Sequence, residues 1–197
     1  MLWYKTVEIM KHDYWQWPSY LNTKQIKDIN NYIDSSSFEK EPEECAALDA
    51  KSNRKKFLET KLIPFFKLKN YLPNLWDIIS ATNLNNFGYD IIPFNDTCDF
   101  IHYNKYSSKT KDRYDWHSDG SKSSLLDIKF TVLINISNKK YTGGEFKLFN
   151  TNEYIVNELS NPGNMIMFRS YLNHKVEKVI SGERKTLALF IKGPAFR

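Results

Sequence analysis

The sequence predicts an α+β fold, a helical amino-terminal half followed by a β-barrel or jelly roll. Three observations predict it. Apolar residues recur at helical spacing in the first half. From about residue 97 they alternate in short runs rich in β-branched and aromatic residues. Turn signals separate those runs: Asp119-Gly120, Gly143-Gly144, Asn161-Pro162-Gly163 and Ser181-Gly182. A chain of 197 residues, 41% hydrophobic and 15% aromatic, can bury a sizeable core; these values exclude a disordered tail, a collagen-like repeat and a disulfide-dense mini-protein. We expect a single domain over 1–197, with a mainly helical support region at 1–96 and a β core at 97–197.

Ile26, Ile29 and Ile33 share one helical face, and Asn22 or Thr23 before them can cap a helix over 23–33. Ser35 to Ser37 and the acidic stretch from Glu39 to Glu44 form a polar loop. Residues 49–70 read as helical with a break at Pro64, and 73–80 as a short helix with Pro73 near its first position and Trp76 and Ile79 on its apolar face. The strands are expected at 97–103, 114–118, 127–137, 144–149, 153–157, 164–168, 173–179 and 184–192. The segment from Asn104 to Arg113 (NKYSSKTKDR) is polar and basic, and is expected as an exposed, mobile loop. Lys105, Lys109, Lys111 and Arg113 on it read as a solvated face, or more sharply as a lid that closes over a substrate, with Lys109 and Arg113 as the candidate contacts.

Charge is uneven. Residues 1–96 carry 12 basic and 13 acidic side chains; residues 97–197 carry 16 and 10, so a net +6 sits in the second half. That excess suits an anionic ligand, but forms no dense stripe of the kind a nucleic-acid binder carries. No run of 18 apolar residues exists, and the amino terminus lacks the apolar stretch and cleavage site of a signal peptide, so a soluble, cytoplasmic protein is expected. Cys45 and Cys98 stand apart with no base beside them, which fits a reduced compartment and inert thiols. Glycine-rich nucleotide-binding patterns are absent.

The candidate chemistry starts at His117 and Asp119. Residues i and i+2 of a strand point to one face, so an imidazole and a carboxylate stand together. His174, on a later strand, supplies a second imidazole. Two histidines and one carboxylate on one face make the triad of non-haem Fe(II) oxygenases. Ten residues on, Arg184 and Thr186 share one face of the strand RKTLALFIK. A guanidinium grips a carboxylate through two hydrogen bonds, and a threonine hydroxyl adds a donor. His102 and Tyr103 point to opposite faces of one strand, so if Tyr103 faces the pocket, His102 faces away from it. His12 lies among Tyr14, Trp15 and Trp17, where packing or an edge strand is the simplest role.

The stretch YDWHSDG, KFTVLINIS, YTGGEFKLF and NPGNMIMFRSYLNHKVEKVISGERKTLALFIKGP resembles the 2-oxoglutarate- and Fe(II)-dependent dioxygenases, above all their prolyl 4-hydroxylase-like branch with its small bacterial and viral members. The resemblance covers residues 97–194. It implies a double-stranded β-helix, the jelly-roll, cupin-like barrel, on an N-terminal helical layer. It implies that His117, Asp119 and His174 ligate iron, that Arg184 holds the 5-carboxylate of 2-oxoglutarate, with Thr186 and Tyr103 beside it, and that Tyr114 faces the metal and the substrate. The implied cofactors are Fe(II), 2-oxoglutarate and O2, with ascorbate as a reductant. The implied reaction couples decarboxylation of 2-oxoglutarate to succinate and CO2 with hydroxylation of a prolyl residue in a peptide or protein, by a monomer with no membrane or nucleic-acid partner. A lysyl side chain, a free amino acid or a nucleobase would suit the same chemistry, and a non-catalytic cofactor-sensing module would keep the barrel. Leu133, Phe190 and Arg169 depart from the residues common in relatives, and none of these positions is a ligand.

Overall fold

The computed structural model describes residues 12–39, 56–96, 98–120 and 125–195. Expectations for the acidic stretch beyond Glu39, for Cys45, for the start of the 49–70 helix and for residues 1–11 lie outside the described residues.

Helix α1 (Thr23–Ser35) begins as its sequence requires. The Asn22 side chain accepts from the Gln25 backbone N–H, and the Gln25 side chain accepts from the Asn22 N–H, both at 2.9 Å. Its buried stripe is Ile26, Ile29, Asn30 and Ile33. Helix α3 (Leu75–Asn86) starts two residues after Pro73, because Asn74 takes the left-handed conformation (φ 51°) that asparagine tolerates.

The expected helix over 49–70 is corrected. Glu59–Pro64 is strand β3, followed by the single helical turn α2 (Phe65–Leu68) and a tighter turn, Lys69–Tyr71. β3 is an edge strand that ends on its proline, a place where a missing N–H costs little. Two other short strands lie in the first half, β1 (Tyr14–Trp17) and β2 (Lys56–Phe57). β1 pairs antiparallel at the sheet's other edge, which gives the aromatic segment after His12 the edge-strand role expected for it.

Every strand span expected beyond residue 97 contains a strand. They are β4 (Phe100–Ser107), β5 (Arg113–His117), β6 (Leu126–Asn135), β8 (Phe146–Phe149), β9 (Glu153–Ile155), β10 (Met165–Arg169), β11 (Asn173–Val176) and β13 (Glu183–Pro194). The end of the span at 173–179 turns away into a separate strand, β12 (Val179–Ser181), which pairs with β7 (Thr142–Gly143). A six-stranded sheet in the order β1-β10-β6-β13-β4-β3 and a five-stranded sheet in the order β2-β5-β11-β8-β9 make an antiparallel jelly roll. Among the described residues no helix is long and apolar enough to cross a membrane.

Strand alternation divides the six-stranded sheet into two faces. Ile101, Tyr103, Phe130, Val132, Ile134, Leu187, Leu189 and Ile191 pack with Ile26, Ile29, Ile33 and Ile79 of the helices. The alternate residues Tyr106, Leu133, Ile166, Phe168 and Ala188 pack with Phe146, Leu148 and Val176 of the five-stranded sheet. Between the helices and the sheet, the buried Asn30 amide donates to Ile26 O and Ile136 O and accepts from Lys185 Nζ. The helical layer thus seals one face of the sheet and leaves the other to enclose a cavity.

Candidate active site

A cavity of about 130 Å3 lies between the two sheets, lined among others by His117, Asp119, His174, Arg184 and Thr186. His117 ends β5 and pairs in register with His174 on β11, so the two imidazoles stand side by side with ring centroids 4.0 Å apart. Both residues are 4% exposed. Asp119 lies just past the strand, held by its N–H on Ser170 O at 2.9 Å. One carboxylate oxygen is 3.9 Å from His117 Nε2, and the other is 3.4 Å from His174 Nε2. All three potential ligand atoms lie within 4.8 Å of one another.

Hydrogen bonds set the chemistry of each donor. His117 Nδ1 is 2.7 Å from Asp115 O, and His174 Nδ1 is 3.0 Å from Leu172 O. A carbonyl oxygen only accepts, so each Nδ1 carries a hydrogen, and Nε2 is the atom of each ring left to ligate a metal. Thr131 Oγ1 donates to Asp119 Oδ2 at 2.6 Å and fixes the carboxylate. Tyr114 stacks on His117, with centroids 3.6 Å apart at 20°, and lines the same cavity.

Arg184 occupies the other end. It is 2% exposed, its Nη2 has no hydrogen-bond partner, and no carboxylate among the described residues pairs with it. An unpaired buried charge is costly, and such a group is suited to an anion that arrives from outside. Its guanidinium carbon lies 5.3 Å from the centre of the Tyr106 ring. Gly144 (φ +69°) makes room for it, since a Cβ there would stand 3.0 Å from Arg184 Cδ. The residues present therefore fit a metal ion at one end of the cavity and a carboxylate at the other.

Three expectations are corrected. Tyr103 does not line the cavity; it is 1% exposed within the helix-facing core, while His102 lines the cavity with its ring 5.0 Å from that of Phe190. The alternation was right and its phase was off by one residue. Ile101 and Tyr103 are the apolar set, and His102, Asn104 and Tyr106 are the polar one. Tyr106 is the tyrosine that lines the cavity, beside Arg184, and burial, the largest influence on it, pushes its hydroxyl up to about 12, so it keeps its proton and can donate. The segment 104–113 is not a long loop: Asn104 to Ser107 belong to β4, and a tight turn over 108–111 leads into β5 at Arg113. Ser107 N donates to Asp112 Oδ2 at 2.8 Å and Asp112 N to Ser107 O at 3.0 Å, which closes the hairpin. Lys109 is exposed on that turn, Arg113 lies on β5, and neither lines the cavity.

Sequence reasoning missed Thr131, Asn104 and Tyr106. The signal for Thr131 was a lone hydroxyl inside the buried run from Phe130 to Ile134.

Residues 101–192 match the family model of the 2OG-Fe(II) oxygenase superfamily, so the β-rich part of the chain is similar to that family. No curated protein matches the sequence. In fold the chain is similar to a Pseudomonas putida prolyl-4-hydroxylase, at TM-score 0.64 and 15% identity over 95% of this chain and 96% of that one. It is similar to the viral collagen prolyl hydroxylase of Paramecium bursaria Chlorella virus-1, at TM-score 0.64 and 14% identity over 92% and 97%. It is also similar to a Trichoplax adhaerens prolyl hydroxylase solved with a peptide of the hypoxia-inducible factor oxygen degradation domain, at TM-score 0.66 and 15% identity over 91% and 83%. These likenesses establish the double-stranded β-helix.

Proposed function

We propose that this protein is an Fe(II)- and 2-oxoglutarate-dependent dioxygenase that hydroxylates prolyl residues of a peptide or protein. The observation that carries the reading is one cavity with three convergent metal-ligating atoms at one end and a buried, unpartnered guanidinium at the other. His117 Nε2, His174 Nε2 and one oxygen of Asp119 hold the iron. Thr131 keeps the second Asp119 oxygen occupied, which orients the first. When bound, the iron and its cosubstrate supply the oxidation: 2-oxoglutarate and O2 give succinate and CO2, and one oxygen atom passes to a substrate C–H bond.

The chain's own residues do the rest. Arg184 pairs with the 5-carboxylate, with Thr186 and the Tyr106 hydroxyl as further donors. Ala188, small and inward-facing, leaves room between the two ends. Tyr114 shields His117 and flanks the substrate side. Phe146 and Phe168, packed near His174, keep that side dry. The prolyl preference is supported by the fold neighbours named as prolyl hydroxylases. Ascorbate would serve to keep the iron reduced.

The test is succinate release from labelled 2-oxoglutarate with a peptide library, read with peptide mass spectrometry. A hydroxyl on proline, absent with His117→Ala, is expected. Succinate release unchanged in that variant would refute the ligand set, and a hydroxyl on another residue or on no peptide would end the prolyl assignment.

A further inference from the structure

Asn104 has no role in the machinery above, yet it lines the cavity in the middle of the cosubstrate end. In the antiparallel ladder Asn104 on β4 is opposite Thr186 on β13, and the next inward pair is Tyr106 opposite Arg184. Opposed residues share a face with Cβ atoms about 5 Å apart, so these side chains form the four corners of one patch. The orientation of the Asn104 amide is fixed from behind. Thr60 on β3 donates its hydroxyl to Asn104 Oδ1 at 2.9 Å. With the oxygen engaged by Thr60, the NH2 group is the amide's remaining donor on a side chain that lines the cavity, and it hydrogen-bonds to no described residue.

A bound carboxylate has about four lone-pair sites to satisfy. Arg184, Thr186 and the Tyr106 hydroxyl offer donors from three corners of the patch, and a lone-pair site left unfilled at the fourth would cost affinity. We propose that Asn104 is a specificity-determining residue for the cosubstrate. Its amide N–H joins Arg184 on the far carboxylate and selects a 2-oxo dicarboxylic acid over a 2-oxo monocarboxylic acid. Thr60 acts through Asn104 as a positioning residue. This rests on reading the cavity as the 2-oxoglutarate site.

The experiment is anaerobic titration calorimetry of the Fe(II)-loaded protein with two acids, 2-oxoglutarate and 2-oxopentanoate, which has a methyl group in place of the far carboxylate. Asn104→Ala is expected to weaken 2-oxoglutarate about tenfold and to leave 2-oxopentanoate within about twofold. Asn104→Asp turns a carboxylate toward Arg184; it is expected to weaken 2-oxoglutarate by about a hundredfold with thermal stability kept or raised, which excludes misfolding as the cause. Thr60→Val is expected to weaken 2-oxoglutarate about threefold, because the amide is then free to turn. Unchanged 2-oxoglutarate affinity in Asn104→Ala, or equal weakening of both acids, would overturn the assignment. A wild-type protein that binds neither acid, or an Arg184→Met variant with undiminished 2-oxoglutarate affinity, would instead overturn the reading of the site beneath it.

Discussion

The two faces of the six-stranded sheet are built from alternate residues of the same strands and have opposite characters. Toward the helices, Ile101, Phe130, Val132, Ile134, Leu187 and Leu189 are fully buried aliphatic and aromatic groups. Toward the cavity, the same strands present His102, Asn104, Tyr106, Thr131, Arg184 and Thr186. One face is a close-packed seam that holds the helical layer on the barrel. The other keeps hydrogen-bond donors inside and leaves one of them, Arg184 Nη2, without a partner. A single-residue change of phase therefore separates stability from chemistry, because a strand's side-chain period is two. Lys185 marks the boundary. It points to the helix side, where its ammonium donates to Asn30 Oδ1 at 3.1 Å, while its neighbours Arg184 and Thr186 point to the cavity.

The contrast can be broken from either side. Leu189→Ala, on the helix face, leaves a void among close-packed neighbours. It should destabilise the fold by about 2–5 kcal/mol in denaturant unfolding and leave 2-oxoglutarate affinity within about twofold. Arg184→Met, on the cavity face, should do the reverse. Losing the charge-assisted pair should weaken 2-oxoglutarate by about a hundredfold in calorimetry, while removal of an unpaired buried charge leaves the melting temperature equal or higher. A melting temperature that fell as far as that of Leu189→Ala would mean that Arg184 is a structural residue. Thr131→Val removes the hydroxyl that fixes Asp119 and should weaken metal binding about tenfold, measured by competition with a chelator, with little change in stability. Lys109→Ala, on the hairpin turn away from the cavity, should change peptide turnover by less than about twofold; a large loss would restore a lid role to that segment.

Much of this was legible in the sequence, where side-chain period and chemistry agreed. The capping residues and the three isoleucines marked α1, and alternation with turn residues marked the strands beyond residue 97. His117, Asp119, His174, Arg184 and Thr186 were found from spacing and donor chemistry, and the structure brings all five to one cavity. The errors lie where local pattern is silent about tertiary partners. Glu59 to Pro64 carries mixed residues that suit a helix or an edge strand, and only pairing with β4 decides for the strand. In β4 both phases contain a tyrosine, so Tyr103 and Tyr106 could exchange roles until the helical layer claimed the phase of Ile101. The segment from Asn104 to Arg113 looks like a loop because Asn104 faces a cavity that a sequence does not display, and because the polar residues from Ser108 to Lys111 do form a turn.

The most direct test of the central claim is metal binding under anaerobic conditions. Titration of the wild-type protein with Fe(II) should give one site per chain, and that site should be lost in the His117→Ala/His174→Ala double variant while the fold is kept. Unchanged stoichiometry and affinity in the double variant would contradict the assignment of the site to His117, Asp119 and His174.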